Sequence, residues 1–383
     1  MEATRPRAVA RAPAAPAAAP STRRRRAGRL PELDLLRAGA LVAVVFIHAA
    51  SWIPGQDAPA QAGPYAAAIL LARFCVPAFI LASGFALHRA YGRPDDARAF
   101  LRRRALRTIV PWLAWVPVYA AIDLVFGKVA ANPHDLVVWL AYGPGHLYFL
   151  VLIAQLAVLF PFLPSSRVRL AAVAGALLAL QLVLGIARTY APLPGGPLAW
   201  PFTYLPQMEA PFWAGWFVLG CLLSAWYDRF RVESWLWPVA LALTVLGGAL
   251  VLVEAALVPG DEWRQGTYAF LWPSRLPATL AVVALLLWVG RELAPVAGAL
   301  WTPVRALSER SLGVYVIHVG VLEVLGRTAL AGLPPLPRLA ALLIGSLTIA
   351  YALTVALART GAGALALGET RGSIRRRASS GAG

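Results

Sequence analysis

The sequence contains little charge and almost no cysteine. Only 14% of its 383 residues are charged, against roughly a quarter in ordinary soluble domains. In contrast, 59% are hydrophobic, and the mean hydropathy is +0.66. Its two cysteines, Cys75 and Cys221, both lie in apolar runs, which excludes a disulfide-stapled secreted scaffold and a multi-cysteine zinc site. This composition excludes a soluble enzyme with an ordinary surface.

The charge that is present is strongly basic, with a formal net charge of +17 and 35 basic residues. Lys128 is the single lysine, so nearly all of this charge comes from arginine. Most arginines lie in short clusters between apolar stretches, which is typical of a polytopic membrane protein and not of a nucleic-acid-binding protein. We therefore expect a lipid bilayer as the surroundings and no nucleic-acid partner.

Ten apolar segments are long enough to cross a bilayer, which takes about 20 residues per helix. They lie near residues 34–52, 65–87, 108–127, 146–163, 169–187, 211–227, 235–256, 275–290, 310–330 and 339–358. The predicted fold class is all-α, a polytopic membrane protein with about ten transmembrane helices spread over residues 33–358. Residues 1–32 and 359–383 are rich in small residues, proline and arginine, and we predict that they form disordered basic tails.

The distribution of basic residues predicts the orientation. Ten spans would place both tails on one side of the membrane, and 27 of the 35 basic residues lie on that side, against five on the other. The remaining three, Arg37, Arg73 and Arg327, lie inside the predicted spans. The positive-inside rule then predicts a multi-pass protein of the cell (inner or plasma) membrane with both termini in the cytoplasm.

Ionisable side chains at membrane depth are costly and indicate function by default. In the first span, Arg37 and His48 are eleven residues apart, so they share one helix face about 16 Å apart. The second span contains Arg73 well inside its apolar run, followed by Ser83 and Gly84. Two plainer interpretations stay open here: Arg37 can extend its charge to the headgroups, and Ser83 with Gly84 can form a helix-packing contact.

Further polar residues lie near the third, fourth and ninth spans. Four arginines precede the third span, at Arg102, Arg103, Arg104 and Arg107, and guanidinium groups suit phosphate oxygens. Simple anchoring at the cytoplasmic face explains this cluster equally well. The fourth span opens with His146, and the ninth contains Tyr315 and His318, each compatible on its own with an aromatic belt or a satisfied buried polar group.

Taken together, the motifs resemble the integral-membrane acyltransferase family 3, whose members O-acylate sugars, glycans and other extracytoplasmic acceptors. The matching pieces, in family order over residues 33–325, are Leu33-Asp34 with Arg37-x10-His48, Arg73-Phe-x-Val-Pro77-x-Phe-x-x-x-Ser83-Gly84-Phe85, the Arg102–Arg107 cluster closed by Pro111, Gly145-His146-Leu-Tyr148-Phe149, and Ser311-x-Gly-x-Tyr315-x-x-His318. Two departures are Ala78, where the family commonly has a second aromatic residue, and Tyr148, where it often has tryptophan.

The resemblance implies an O-acyltransferase that moves an acyl group from cytoplasmic acyl-coenzyme A to a hydroxyl of an extracytoplasmic sugar or glycan. Acetyl-coenzyme A is the expected donor, no metal is expected, and a homo-oligomer stays open. The implied catalytic residues are His48, Arg37 and Arg73, the implied donor-binding residues are Arg102, Arg103, Arg104 and Arg107, and further candidates are Ser83, His146, Tyr315 and His318. The competing hypotheses are a transporter or flippase for a lipid-linked sugar and a structural or regulatory membrane protein.

Overall fold

The computed structural model describes residues 29–53, 68–69, 71–127, 133–143, 145–190, 208–230, 236–257, 272–327 and 330–369. Within these ranges, all regular secondary structure is helical, and they contain no strand. Twelve α-helices are described: α1 (Pro31–Ala50), α2 (Cys75–Tyr91), α3 (Ala97–Val125), α4 (Pro133–Tyr142), α5 (Tyr148–Leu159), α6 (Arg167–Tyr190), α7 (Ala214–Phe230), α8 (Leu236–Leu257), α9 (Arg275–Leu293), α10 (Trp301–Arg327), α11 (Pro335–Leu357) and α12 (Gly361–Ala366). Short 3-10 turns over Gly145–Leu147 and Phe160–Phe162 extend α5 at both ends.

Seven helical segments are long and apolar enough to cross a membrane, which makes this an all-helical, multi-pass membrane protein. They are Pro31–Ala50, Ala97–Val125, Gly145–Phe162, Arg167–Ala187, Leu236–Glu254, Arg275–Leu293 and Pro335–Leu357. The other three predicted spans correspond to α2, α7 and α10. α2 has only 17 residues, the apolar part of α7 is short, and α10 carries several charged residues. The count of ten spans and the side of the termini stay predictions.

α1 occupies a central position, because it packs against α2, α9, α10 and α11. Its first turn is joined to α10 by Asp34, whose carboxylate accepts a hydrogen bond of 2.7 Å from the hydroxyl of Ser308. The Asp34 carboxylate also accepts a bond of 2.5 Å from Arg29, which in turn pairs with Glu309. These contacts fix the start of α1 against the first third of α10.

Two glycines allow α2 and α7 to pack closely. A Cβ atom at Gly84 would overlap the backbone carbonyl of Phe217, and a Cβ atom at Gly220 would overlap that of Leu81. Because the close approach depends on a glycine from each helix, the small-residue interpretation of Gly84 is correct as a description of its packing.

α3 is longer than the bilayer requires. Its 29 residues span about 43 Å, whereas the hydrocarbon layer is about 30 Å thick. It begins after Asp96, whose side chain accepts a hydrogen bond of 2.9 Å from the backbone N–H of Ala99. The arginine cluster therefore lies on the first turns of α3 and projects from one end of the bundle. We call the end that carries Arg104, Arg107 and Arg310 the basic end.

Residues 360–369, which the sequence analysis placed in the C-terminal tail, form α12 and a following turn. The side chain of Thr360 caps α12 by accepting a bond of 3.0 Å from the backbone N–H of Gly363. α12 packs against α3, where the indole N–H of Trp115 donates a bond of 3.0 Å to the carbonyl of Ala366. We call residues 360–369 the C-terminal segment.

Candidate active site

Three histidines from three parts of the chain converge inside the bundle. The ring of His48, near the end of α1, lies 5.2 Å from the ring of His318 and 6.0 Å from that of His146, measured between centroids. The rings of His146 and His318 are 5.1 Å apart. His318 is fully buried and His146 almost so, whereas His48 is half-buried. We call these residues the histidine cluster.

Tyr315 links the members of the cluster through hydrogen bonds. Its hydroxyl donates a bond of 2.5 Å to the backbone carbonyl of His146, and its own carbonyl lies 2.6 Å from Nδ1 of His318. A carbonyl oxygen can only accept, so Nδ1 of His318 carries the proton, and the neutral ring presents a lone pair at Nε2. That Nε2 atom and both ring nitrogens of His146 are buried without a hydrogen-bond partner in the described structure.

Tyr119 of α3 flanks the cluster, and sequence reasoning missed it. Its ring lies 5.1 Å from that of His146. Its hydroxyl donates to the carbonyl of Val316 at 2.8 Å and accepts from the N–H of Gly320 at 3.0 Å. No motif marks this tyrosine, because its role comes from a contact between α3 and α10.

A cavity of about 380 Å³ enters the bundle from the basic end. Its outer part is lined by Arg37, Arg104, Arg107 and Arg310, and its inner part by Phe79, Phe149, Leu150, Ile153 and Tyr315. Since the ring of Tyr315 lies 5.3 Å from that of His146 and 5.7 Å from that of His318, the inner end of the cavity borders the histidine cluster.

The predicted donor-binding arginines divide into two pairs. Arg104 and Arg107 are half-buried and line the cavity, whereas Arg102 and Arg103 are exposed and lie outside its lining. Arg37 also lines the cavity, and its guanidinium interacts electrostatically with the carboxylate of Asp34. Ser83 lines the same cavity, with its hydroxyl donating to the carbonyl of Phe79 at 2.8 Å.

No hydrogen bond or ring contact among the described residues joins Arg73 directly to the histidine cluster, so its catalytic role stays a prediction. Arg73 lies in the turn just before α2, and its electrostatic partners are Cys75 and Arg275 of α9. Neither partner belongs to the cluster. No group of three or more histidine, cysteine, aspartate or glutamate side chains within the described ranges is arranged to hold a metal ion.

The comparison with protein families decides the class. A family model described as an acyltransferase domain matches residues 30–355, a range that contains every candidate site residue. The chain belongs to the integral-membrane acyltransferase family 3. Comparisons with the curated proteins and with the solved structures gave no match. The multi-pass helices and the family together make the protein a membrane acyltransferase, and the histidine cluster with its adjoining cavity is the candidate active site of this acyltransferase.

Proposed function

We propose that this membrane acyltransferase takes an acyl group from cytoplasmic acyl-coenzyme A, with acetyl-coenzyme A as the first donor to test. It transfers this group to a hydroxyl of an extracytoplasmic sugar or glycan. The observation that carries the proposal is the border between the arginine-lined cavity and the histidine cluster at Tyr315. A phosphate-bearing thioester donor has a charged end and an uncharged arm. The cavity has arginines in its outer part and mostly apolar side chains in its inner part, so it suits both.

The charge of the cavity supports a donor with phosphate groups. Arg37, Arg104 and Arg107 line its outer part, and a guanidinium forms strong, charge-assisted hydrogen bonds with phosphate oxygens. The nucleotide cannot enter hydrocarbon, so it would stay at the basic end, which the arginine distribution predicts to be cytoplasmic. The apolar inner lining then suits the uncharged arm that carries the thioester.

The histidine cluster supports acid–base chemistry at the far end of that arm. We assign the general base to His48, because it is half-buried and so stays accessible to an acceptor, while His318 is fully buried. His318, held by Tyr315 with its Nε2 lone pair available, would orient the ring of His48 at 5.2 Å. His146, whose ring packs edge-on against the rings of His48 and His318, would offer its N–H to a developing oxyanion.

In the proposed step, His48 accepts the proton of the acceptor hydroxyl while the oxygen attacks the thioester carbonyl carbon. The carbon–sulfur bond then breaks, and the sulfur leaves as the thiol of coenzyme A with the proton that His48 returns. The products are an ester and free coenzyme A, so no oxidant or metal is required for balance. We assign no step to Arg73, because its partners lie outside the cluster.

The test is thiol release by the full-length protein in nanodiscs. We expect slow release of free thiol from acetyl-coenzyme A, faster release when an acceptor sugar is added, and loss of both in His48→Ala. Absence of coenzyme A binding and of thiol release would contradict the proposal and favour the transporter hypothesis. Comparing acylated glycans in cells with and without the gene would then identify the acceptor.

A further inference from the structure

The C-terminal segment contributes a carboxylate to the cavity. Leu367, Gly368 and Glu369 line the cavity, together with Arg310 of α10. The guanidinium of Arg310 pairs with the carboxylate of Glu369 at 2.9 Å, and their side chains are only 17% and 14% exposed. This segment lies beyond the residues matched by the family model, so the family match says nothing about it.

Uncharged contacts hold this segment in place. Pro111 has no N–H, so the carbonyl of Arg107, one turn earlier in α3, lacks its helical donor. Gly368 lies against that carbonyl with a φ of +71°, and a Cβ atom there would come within 2.7 Å of the oxygen. The hydrogen bond from Trp115 to Ala366 adds a second anchor. The position of the segment therefore does not depend on the charge of Glu369 alone.

Glu369 differs from Glu309, the other carboxylate that lines the cavity. Glu309 pairs with Arg29 and Arg305, neither of which lines the cavity. Burial alone would raise the pKa of Glu309, and the hydrogen bonds from these two arginines more than offset that, so its pKa lies below the ordinary value. Glu369, in contrast, is paired with an arginine that itself faces the cavity.

We propose that Arg310 is a ligand of the donor's phosphate groups and that Glu369 occupies it until the donor binds. A carboxylate and a phosphate offer a guanidinium the same pair of oxygen acceptors, so one replaces the other without leaving Arg310 unpaired. The C-terminal segment is then a built-in competitor of the donor. This inference rests on the proposed donor site and adds to it a residue and a regulatory contact that the sequence motifs do not include.

The competition predicts opposite effects of two substitutions. Glu369→Gln removes the competitor, so the affinity for coenzyme A should rise roughly tenfold, the size of one charge-assisted contact. Arg310→Gln removes the ligand and leaves a carboxylate facing the phosphates, so the affinity should fall roughly tenfold. In the double variant the loss and the gain offset each other, and its affinity should lie near that of the wild type.

The measurement is calorimetric titration of coenzyme A into full-length protein in nanodiscs, with a thermal melt for each variant. Two controls isolate the charge effect. Trp115→Phe removes the bond to Ala366 while the ion pair of Glu369 and the contact of Gly368 stay, and Glu292→Gln removes an exposed carboxylate that pairs with Arg291 outside the cavity lining. Both should bind coenzyme A with nearly wild-type affinity.

Separate results overturn the inference and the proposed function. The inference is wrong if Glu369→Gln binds coenzyme A no more tightly than the wild type, or if the double variant binds it as weakly as Arg310→Gln. In either case the ion pair only stabilises the fold. The double variant removes both partners of the ion pair, so it keeps the inference testable if Glu369→Gln does not fold. If the folded wild type binds no coenzyme A, the proposed donor site itself fails.

Discussion

The rings of His48 and His318 lie 5.2 Å apart, although they belong to α1 and α10 of the chain. Asp34 and Ser308, at the other end of the same helix pair, are joined by a hydrogen bond of 2.7 Å. The pairing of α1 with α10 is therefore fixed at the basic end and at the histidine cluster. This pairing makes the two histidines candidates for one shared acid–base function.

His48→Ala should lower acyl transfer by about 10²–10⁴-fold, the usual contribution of a general base. His318→Ala should also lower the rate, but the defect should be smaller because His318 acts through His48. Both are compared with the wild type for acyl transfer at matched expression. If His48→Ala retains near-normal activity while His318→Ala loses it, the base lies on α10 and our assignment is wrong.

The four arginines of the α3 cluster should not be equivalent. Replacing Arg104 and Arg107 together with glutamine should weaken coenzyme A binding at least tenfold, because each charge-assisted contact contributes about 1.5–3 kcal/mol. The matched control replaces Arg102 and Arg103, which are exposed outside the cavity lining, and should leave the affinity nearly unchanged. If both double substitutions lower the affinity equally, the cluster does not bind the donor specifically and serves only to orient the protein in the membrane.

The sequence predicted the class of fold and the helices that carry most of the site residues, because apolar length alone is a strong signal for a membrane helix. It could not predict that His48, His146 and His318 meet, since spacing along one helix gives no information about contacts between helices. Only the resemblance grouped them. For the same reason, the separation of Arg104 from Arg103 and the contact of Tyr119 with His146 appear only in the structure.

Tyr315→Phe keeps the ring and removes the hydroxyl that bonds to the His146 carbonyl. We expect a loss of about 1–3 kcal/mol in the free energy of unfolding, because the carbonyl loses that donor. Acyl transfer should fall as well, since His146 loses a constraint on its position. A thermal melt and a transfer assay on the same preparation check both effects. If stability and transfer rate both stay at the wild-type level, the bond contributes to neither.

Gly84→Ala should destabilise the bundle by about 1–3 kcal/mol, the usual cost of overpacking. The added methyl group would overlap the carbonyl of Phe217, and a backbone atom cannot move aside as a side chain can. Gly175→Ala on α6 is the matched control, because open space surrounds that position, and alanine favours a helix over glycine. The free energy of unfolding in detergent should fall for the first variant and stay the same or rise for the second.

A reporter fused after residue 383 should be detected in the cytoplasm, and one inserted within residues 188–210 should be detected outside it. The reason is the division of basic residues, 27 against five, between the two sides of the predicted spans. Most of the loop that receives the reporter lies outside the described residues, so this experiment tests the prediction made from the sequence. A reversed result would place the basic end on the wrong side for a cytoplasmic donor.

The helix in the C-terminal segment could not be predicted from the sequence. Glycine and alanine dominate residues 361–366, a composition that is typical of an unstructured tail as well as of a short helix. The long-range bonds that hold this segment come from outside it: the indole N–H of Trp115 donates to Ala366, and the guanidinium of Arg310 pairs with Glu369. Both partners lie far away in the chain, so no local pattern reveals them.

The packed rings of Phe79, Phe149 and Tyr315 also bear on membrane permeability. Phe149 lies 6.1 Å from Phe79 and 5.3 Å from Tyr315, measured between ring centroids, and all three rings line the inner part of the cavity. A water-filled path continuing from that cavity through the histidines would conduct protons down the membrane potential. An arm that passes between these rings would fill the gap that it opens, so the proposed donor site would admit a thioester to the histidines without leaving an open path for protons.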